Sequence, residues 1–306
     1  MISILDKVVE NISVNGYNVY SVAEYMGKDI EVHHVVPSAS THMCYSVTKS
    51  VTAMCIGILC DRKILSLDDK IFPLFHMFFK AGYDKKWEQV TIRDLLTHRI
   101  GGASGKNMYC HMDNCNPQDI DYLIDVFDEQ IPGQVGQNMV YTDSNYYILS
   151  RVVELKTGLP LDEFAKKELL NPMQFRGFWA WGRDPQNHSF GGDGLYATTS
   201  DLIKLGILYV NKGVYNYNRI LSEDWIQTSC NVLPVDDNGD YGFAVLHTKY
   251  MTDGEFYFAG AGDQFVYFSF HTGRVVAFHA YGAGGPFGLL QYICECDRDA
   301  MYYENR

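Results

Sequence analysis

The hydrophobic pattern is dominated by one run, CYSVTKSVTAMCIGILC at residues 44–60, in which almost every position after Lys49 is apolar or small. A helix that is apolar all round is a buried helix, so this one is expected to be covered on most of its surface as far as Asp61. Upstream, residues 2–12 carry a helical period, and YNVYSVAEYMG and IEVHHVV alternate like two hairpin strands joined around Gly27-Lys28-Asp29. Downstream, to about residue 190, the signals are mostly helical: TIRDLLTH (91–98), PQDIDYLIDVF (117–127), NYYILSRVVELKTG (145–158) and LDEFAKKELL (161–170). Glycine-rich loops separate them, notably RIGGASGKN at 99–107. A further helix, TTSDLIKLGILYVNKG (198–213), starts from a Ser/Thr/Asp cap and stops at Gly213. The tail alternates again in YGFAVLHT, GEFYFAG, QFVYFSF and RVVAFHAYG, with turns at Asp253-Gly254 and Thr272-Gly273.

Strands at both ends of the chain around a helical middle predict an α/β (α+β) fold. An antiparallel sheet is built from both termini and flanked by helices, with an inserted all-helical lobe. The expected division is 1–60 with 190–306 for the sheet-containing domain and 61–189 for the helical one. There is no internal repeat and no low-complexity linker.

Composition changes this picture mainly by exclusion. The 306 residues carry a formal net charge of -12, which argues against nucleic acid and against an anionic membrane surface as partners. No apolar run reaches the length of a membrane span. The start, MISILDKVVENISVNGY, has no basic segment followed by an apolar one, so no secretory signal is read. The expected location is therefore cytoplasmic, with the eight cysteines reduced. Cys110-His111 with Asp113 and Cys115 matches no standard zinc spacing, and no second Cys/His pair follows it. Cys294 and Cys296 are too close for an ordinary disulfide. Phosphate-binding glycine spacing and Gly-x-Ser-x-Gly are both absent. The chain is thus expected to need no metal and no cofactor.

The chemistry lies at the start of the apolar run. Ser46 and Lys49 are three residues apart, a spacing that puts them on one helix face. A serine hydroxyl is a poor nucleophile until a neighbour removes its proton. Lysine can do so when burial penalises its charged form and lowers its pKa, and the apolar helix is expected to supply that burial. Free backbone N–H groups at the helix start suit a developing oxyanion. Ser46-Val47-Thr48-Lys49 is the only Ser-x-x-Lys in the chain, and the bland alternative is a cap residue followed by a surface lysine.

YSVTKSVTAMCIGILCDRKILSLDDKI resembles the first motif of the serine β-lactamase and penicillin-binding-protein-like family, especially its class C and esterase branches. VTIRDLLTHRIGG (90–102), VYTDSNYYILSRVVELKTG (140–158) and GGDGLYATTSDLIKLGILYVNKG (191–213) resemble its later landmarks, in order, from about residue 40 to 280. The resemblance implies a β-lactamase/transpeptidase-like fold. It implies that Ser46 attacks a carbonyl, that Lys49 takes its proton, and that water hydrolyses the acyl-enzyme.

The family's second motif, Tyr-x-Asn, reads Tyr141-Thr142-Asp143 here. The resemblance gives Tyr141 the transfer of protons between Ser46, Lys49 and the leaving group. Asp143 replaces an amide donor by a carboxylate, which can orient Lys49 but cannot donate to a substrate amide. Two literal matches to the third motif are set aside. Lys156-Thr157-Gly158 ends a helix, and His271-Thr272-Gly273 falls at a hairpin turn. The positional equivalent is GEFYFAGAGDQF, where Phe258-Ala259-Gly260 has no basic or hydroxyl residue. Gly260 would keep the close backbone approach such a strand needs, and the N–H of Ala261 would join that of Ser46 as the oxyanion hole. Absence of the cation implies uncharged ester or amide substrates and argues against true β-lactamase activity. His98 is read as a structural loop residue. WAWG (179–182), with Phe175 and Phe178, either lines an acyl pocket or plugs the helical lobe, and the pocket is the preferred reading. A second reading, from another class, is a penicillin-binding or sensing protein, or a catalytically degenerate family member, that binds ligand without turnover.

Overall fold

The computed structural model describes residues 2–102, 121–177, 179–236, 239–281 and 287–304. The chain forms two compact units, Met1–Val47 with Pro172–Ala180 and Leu195–Arg306, and Thr48–Asn171 with Trp181–Gly194. The pattern places the first boundary after residue 60, whereas the chain leaves the first unit at Val47. The apolar helix, Val47–Asp61, therefore groups with the helical unit. Its contacts explain why: the Thr52 hydroxyl donates to the Gly191 carbonyl at 2.7 Å, and the Lys49 ammonium donates to the Gly192 carbonyl at 2.8 Å.

The first unit is built on one eight-stranded antiparallel sheet that uses both termini, as the alternation predicts. Its order is Ile30–His34, Val19–Tyr25, Val275–Ala280, Gln264–Ser269, Glu255–Gly260, Leu246–Thr248, Gly239–Tyr241 and Leu233–Asp236. The last three strands in sequence read as continuous apolar runs because helices cover both faces. Successive side chains alternate between those faces. Tyr257, Phe265, Tyr267 and Phe278 pack with Val8 and Ile12 of the helix Leu5–Asn15 and with Leu289 and Ile293 of the helix Phe287–Glu304. Phe258 and Phe268 point the other way, each with its ring 5.1 Å from that of Tyr209 in the helix Thr199–Val210.

Two features depart from the pattern. YGFAVLHT is not one strand, because Gly242 N–H donates to the Val245 carbonyl at 2.8 Å and Ala244 adopts a φ of 54°. That tight turn splits it into Gly239–Tyr241 and Leu246–Thr248. The helix Phe287–Glu304 has no counterpart in the predicted elements. Its signal was present in the spacing of Leu289, Leu290, Ile293, Cys294 and Ala300, all buried.

The second unit is helical. Besides Val47–Asp61 it contains Ile92–Leu96, opened by a Thr91/Asp94 capping box, and Tyr122–Phe127. Asp143–Thr157 is capped by Thr142 and closed by Gly158 at a φ of 72°. Leu161–Ala165 runs on into a π-turn at Lys166–Leu170. Among the described residues no helix is long and apolar enough to cross a membrane.

A buried cation ties the first unit's terminal helices to its sheet. Arg274 donates from Nε to Asp297 at 2.7 Å, from Nη1 to Glu24 and from Nη2 to the Ile2 carbonyl at 2.9 Å. Glu24 also accepts the N–H groups of Ile4 and Leu5 at the start of the first helix, each at 3.2 Å. Asp297 also accepts the hydroxyls of Tyr267 and Thr272, each at 2.9 Å. All three charged side chains are buried. Removing one partner leaves buried charge without its counter-charge, at about 3–5 kcal/mol. Arg274→Met is expected to lose stability of that order in urea unfolding. A loss below about 1 kcal/mol, the range of exposed pairs, would show that water already solvates these carboxylates.

Candidate active site

In the second unit, Lys49 lies in the first turn of the Val47–Asp61 helix with its side chain 1% exposed. A buried ammonium requires acceptors and a counter-charge. Its Nζ donates to the Asp143 carboxylate and, at 2.8 Å, to the Gly192 carbonyl. Asp143 is placed by its helix start: Thr142 caps with its hydroxyl on the Ser144 N–H at 3.2 Å, which brings Asp143 in as the first helical residue. The glycines at 191 and 192 allow close approach. A Cβ at Gly191 would lie 1.9 Å from the Tyr146 carbonyl oxygen, and one at Gly192 would lie 2.8 Å from Asp143 Oδ1.

Tyr141 stands beside this pair. Lys49 Nζ is 4.8 Å from its ring centroid, and the phenol side chain is exposed. Tyr141 also meets the ring of His98 at 4.5 Å. His98 is buried and strained, with a φ of 57°, and its Nδ1 receives the Asn145 side-chain amide at 3.1 Å. Burial, then the Lys49 ammonium, holds His98 well below its ordinary pKa, so it is a neutral support for the 141–145 segment.

Electrostatics correct one expectation. Burial does pull the Lys49 pKa down, but Tyr141 and Asp143 push it up by more, and the net direction is upward. Lys49 is therefore an ammonium at neutral pH, not the neutral amine that burial alone predicts. Asp193, which the pattern did not single out, belongs to the same cluster. Burial first, then the Asp143 carboxylate, raises its pKa to about 7, with Lys49 opposing.

In the first unit, the strand Thr41–Met43 pairs with Leu195–Thr198 and leads through Cys44 and Tyr45 to Ser46. Tyr45 has a φ of 47°, an uncommon conformation for a non-glycine residue, directly before the helix that Ser46 precedes. The strand Glu255–Gly260 ends against this segment. A Cβ on Gly260 would lie 2.3 Å from the Cys44 carbonyl oxygen and 3.2 Å from the Ser46 nitrogen. Ala261 opens the three-residue turn that follows, before Gln264 starts the next strand.

The structure thus brings Lys49, Tyr141 and Asp143 together in one unit, and Ser46 and Gly260 in the other. The two rejected motif matches are a helix C-cap at Gly158 and a hairpin turn at Gly273, with φ of 72° and 69°. Trp181 donates its indole N–H to the Phe190 carbonyl at 2.6 Å. Phe178 and the Cys110–Cys115 stretch lie outside the described residues.

Comparisons with known proteins converge. The family model described as Beta-lactamase matches residues 16–289. Penicillin-binding protein 4 of Amycolatopsis lactamdurans is 30% identical over 139 residues, 45% of this chain, and the match spans only 35% of that relative's length. Three solved structures share the fold. A Bacillus anthracis protein assigned as a 6-aminohexanoate-dimer hydrolase has a TM-score of 0.78 at 16% identity, over 97% of this chain and 82% of its own. A D-stereospecific amidohydrolase from Streptomyces sp. has a TM-score of 0.72 at 16% identity, over 94% and 96%. A penicillin-binding protein from Bacillus halodurans has a TM-score of 0.71 at 17% identity, over 96% and 99%.

The charge argument is directly testable. With Asp143 and Tyr141 holding Lys49 as an ammonium, Asp143→Asn removes one opposing charge and leaves burial to act. The neutral amine is then expected to appear at lower pH, visible as a downward shift of the Lys49 titration by NMR of labelled lysine. An unchanged titration would remove Asp143 as its counter-ion.

Proposed function

The chain belongs to the Beta-lactamase family, and on that premise we propose that it is a serine hydrolase acting through an acyl-enzyme on Ser46, with small uncharged esters or amides as substrates. The observation that carries this reading is Lys49, a buried ammonium held in the first turn of the helix that Ser46 precedes.

An ammonium has no lone pair to accept a proton, so the base in this reading is the Tyr141 oxygen, which can accept one only in its deprotonated form, and the Lys49 ammonium 4.8 Å from its ring would offset the charge of that form. Ser46 Oγ attacks the carbonyl carbon as its proton passes to the Tyr141 oxygen. The N–H groups of Ser46 and Ala261 receive the oxyanion. The tetrahedral intermediate collapses, the C–O or C–N bond breaks, and the leaving group takes the proton from Tyr141. Water then attacks the acyl carbon, gives its proton to Tyr141, and Ser46 departs and recovers it. Asp143 keeps Lys49 in place and charged throughout.

Substrate preference follows from the strand edge. Phe258-Ala259-Gly260 offers no cation for a substrate carboxylate, which favours uncharged groups there and disfavours β-lactams. The 6-aminohexanoate-dimer hydrolase and the amidohydrolase among similar folds support an amide as the alternative to an ester. One observation favours a second reading, acylation without turnover: the Lys49 ammonium donates directly to the Asp143 carboxylate and lies 4.8 Å from the Tyr141 ring, so its charge is matched first by Asp143.

Intact mass followed over time with p-nitrophenyl acetate and butyrate tests both. A transient single acyl adduct with nitrophenol release is expected in the wild type and absent in Ser46→Ala. Tyr141→Phe is expected to slow acylation by about 10²–10⁴-fold. An adduct that never clears selects the second reading, and an adduct that forms equally in Ser46→Ala rejects the nucleophile.

A further inference from the structure

The turn at 261–263 is bonded by a side chain from the strand that follows it. Gln264 is 1% exposed and every polar atom of its amide is engaged. Nε2 donates to the Gly262 carbonyl at 2.7 Å and to the Ala280 carbonyl at 2.9 Å, with the Ala261 carbonyl at 3.4 Å. Oε1 accepts the Ala280 N–H at 3.2 Å and lies 2.7 Å from His279 Nδ1. Gly262 and Asp263 both adopt left-handed backbone, with φ of 66° and 65°, a conformation free to glycine and tolerated by aspartate, so the Gln264 bonds fix which turn forms rather than relieve strain.

The turn also meets the side chain of the residue before the nucleophile, and the strand end that leads into it meets the nucleophile's backbone. An ideal Cβ at Gly262 would lie 3.7 Å from the Tyr45 ring, as that of Gly260 would lie 3.2 Å from the Ser46 nitrogen. We infer that Gln264 is a positioning residue for the acyl-transfer reaction: it fixes the 261–263 turn against the Tyr45–Ser46 backbone, so that the Ala261 N–H is held ready for the oxyanion. This rests on the function proposed above. Backbone groups set the orientation of the amide, and His279 adds a further partner to Oε1. Burial, then the neighbouring His42, lowers its pKa to about 3, so the ring is neutral. Since Oε1 has no proton, the neutral ring must carry its proton on Nδ1 and donate it to Gln264. The His42 ring is 5.4 Å away and is itself stacked on Tyr20 at 3.9 Å, which confines His279 further.

Oxyanion-hole donors act in the transition state and contribute little to ground-state binding, and that difference separates positioning from mere stability. Gln264→Glu keeps the shape but cannot donate to the Gly262 and Ala280 carbonyls, and Gln264→Met keeps the volume without adding charge. Both should be assayed with p-nitrophenyl butyrate, with active sites counted by the nitrophenol burst, alongside wild type and Ser46→Ala. The expected result is a fall in kcat of about 10–100-fold with KM within about twofold, short of the full loss of an oxyanion donor. Affinity for an alkyl boronic acid, whose tetrahedral adduct carries the oxyanion, should fall by a similar factor. Either variant folded, with wild-type kcat and boronate affinity and only a lower Tm, would overturn the inference and leave the hydrolase standing. A wild type with no Ser46-dependent burst would overturn the hydrolase, and this role with it. If Gln264→Glu does not fold, Gln264→Met decides alone. If neither folds, His279→Phe, which removes the Nδ1 donor but leaves Gln264, must lower kcat in the same selective way or the inference fails.

Discussion

An ammonium taken out of water must find its counter-charge inside the protein, and that requirement at Lys49 organises the second unit. Asp143 meets it from the start of a helix whose capping residue, Thr142, sets where the first turn begins. The Gly192 carbonyl supplies a further acceptor, and the Thr52 hydroxyl fixes the preceding Gly191. Neither glycine has room for a side chain, so the segment is specified sterically as well as by charge. His98 completes the frame by staying neutral next to the cation and supporting the 141–145 segment.

The first unit meets the same demand at Arg274 for a different end. There the cation is matched by two carboxylates, Glu24 and Asp297, and the result is attachment of both terminal helices to the sheet. The charge is spent on architecture, far in sequence from Ser46. The strand and turn that face Ser46 are held instead by neutral hydrogen bonds, those of Gln264.

Much of this was legible from residues alone, for definite reasons. Ser46 and Lys49 were legible because a hydroxyl and an ammonium at helical spacing are conspicuous at the head of an apolar run. Gly260 was legible because a strand edge that approaches another backbone excludes side chains, and the structure places it against Cys44 and Ser46. The charge state of Lys49 was not. Burial and counter-charge oppose one another, and their balance depends on how close Asp143 and Tyr141 come. Asp193 and Gln264 escaped notice because nothing local marks them: one is an aspartate among glycines, the other a glutamine opening a strand.

By itself the sequence determined most element types and the antiparallel sheet drawn from both termini, and it marked Ser46, Lys49 and Tyr141 as candidates for acyl-transfer chemistry. Those depend on period, capping and side-chain chemistry, which are properties of short stretches. The tertiary structure decided which unit holds the apolar helix, where YGFAVLHT breaks, and that Lys49 stays charged. It also decided that a glutamine, bonded across to Ala280, holds the turn facing Ser46. Each of these is a sum over groups distant in the chain, and such a sum exists only once folding has fixed their separations.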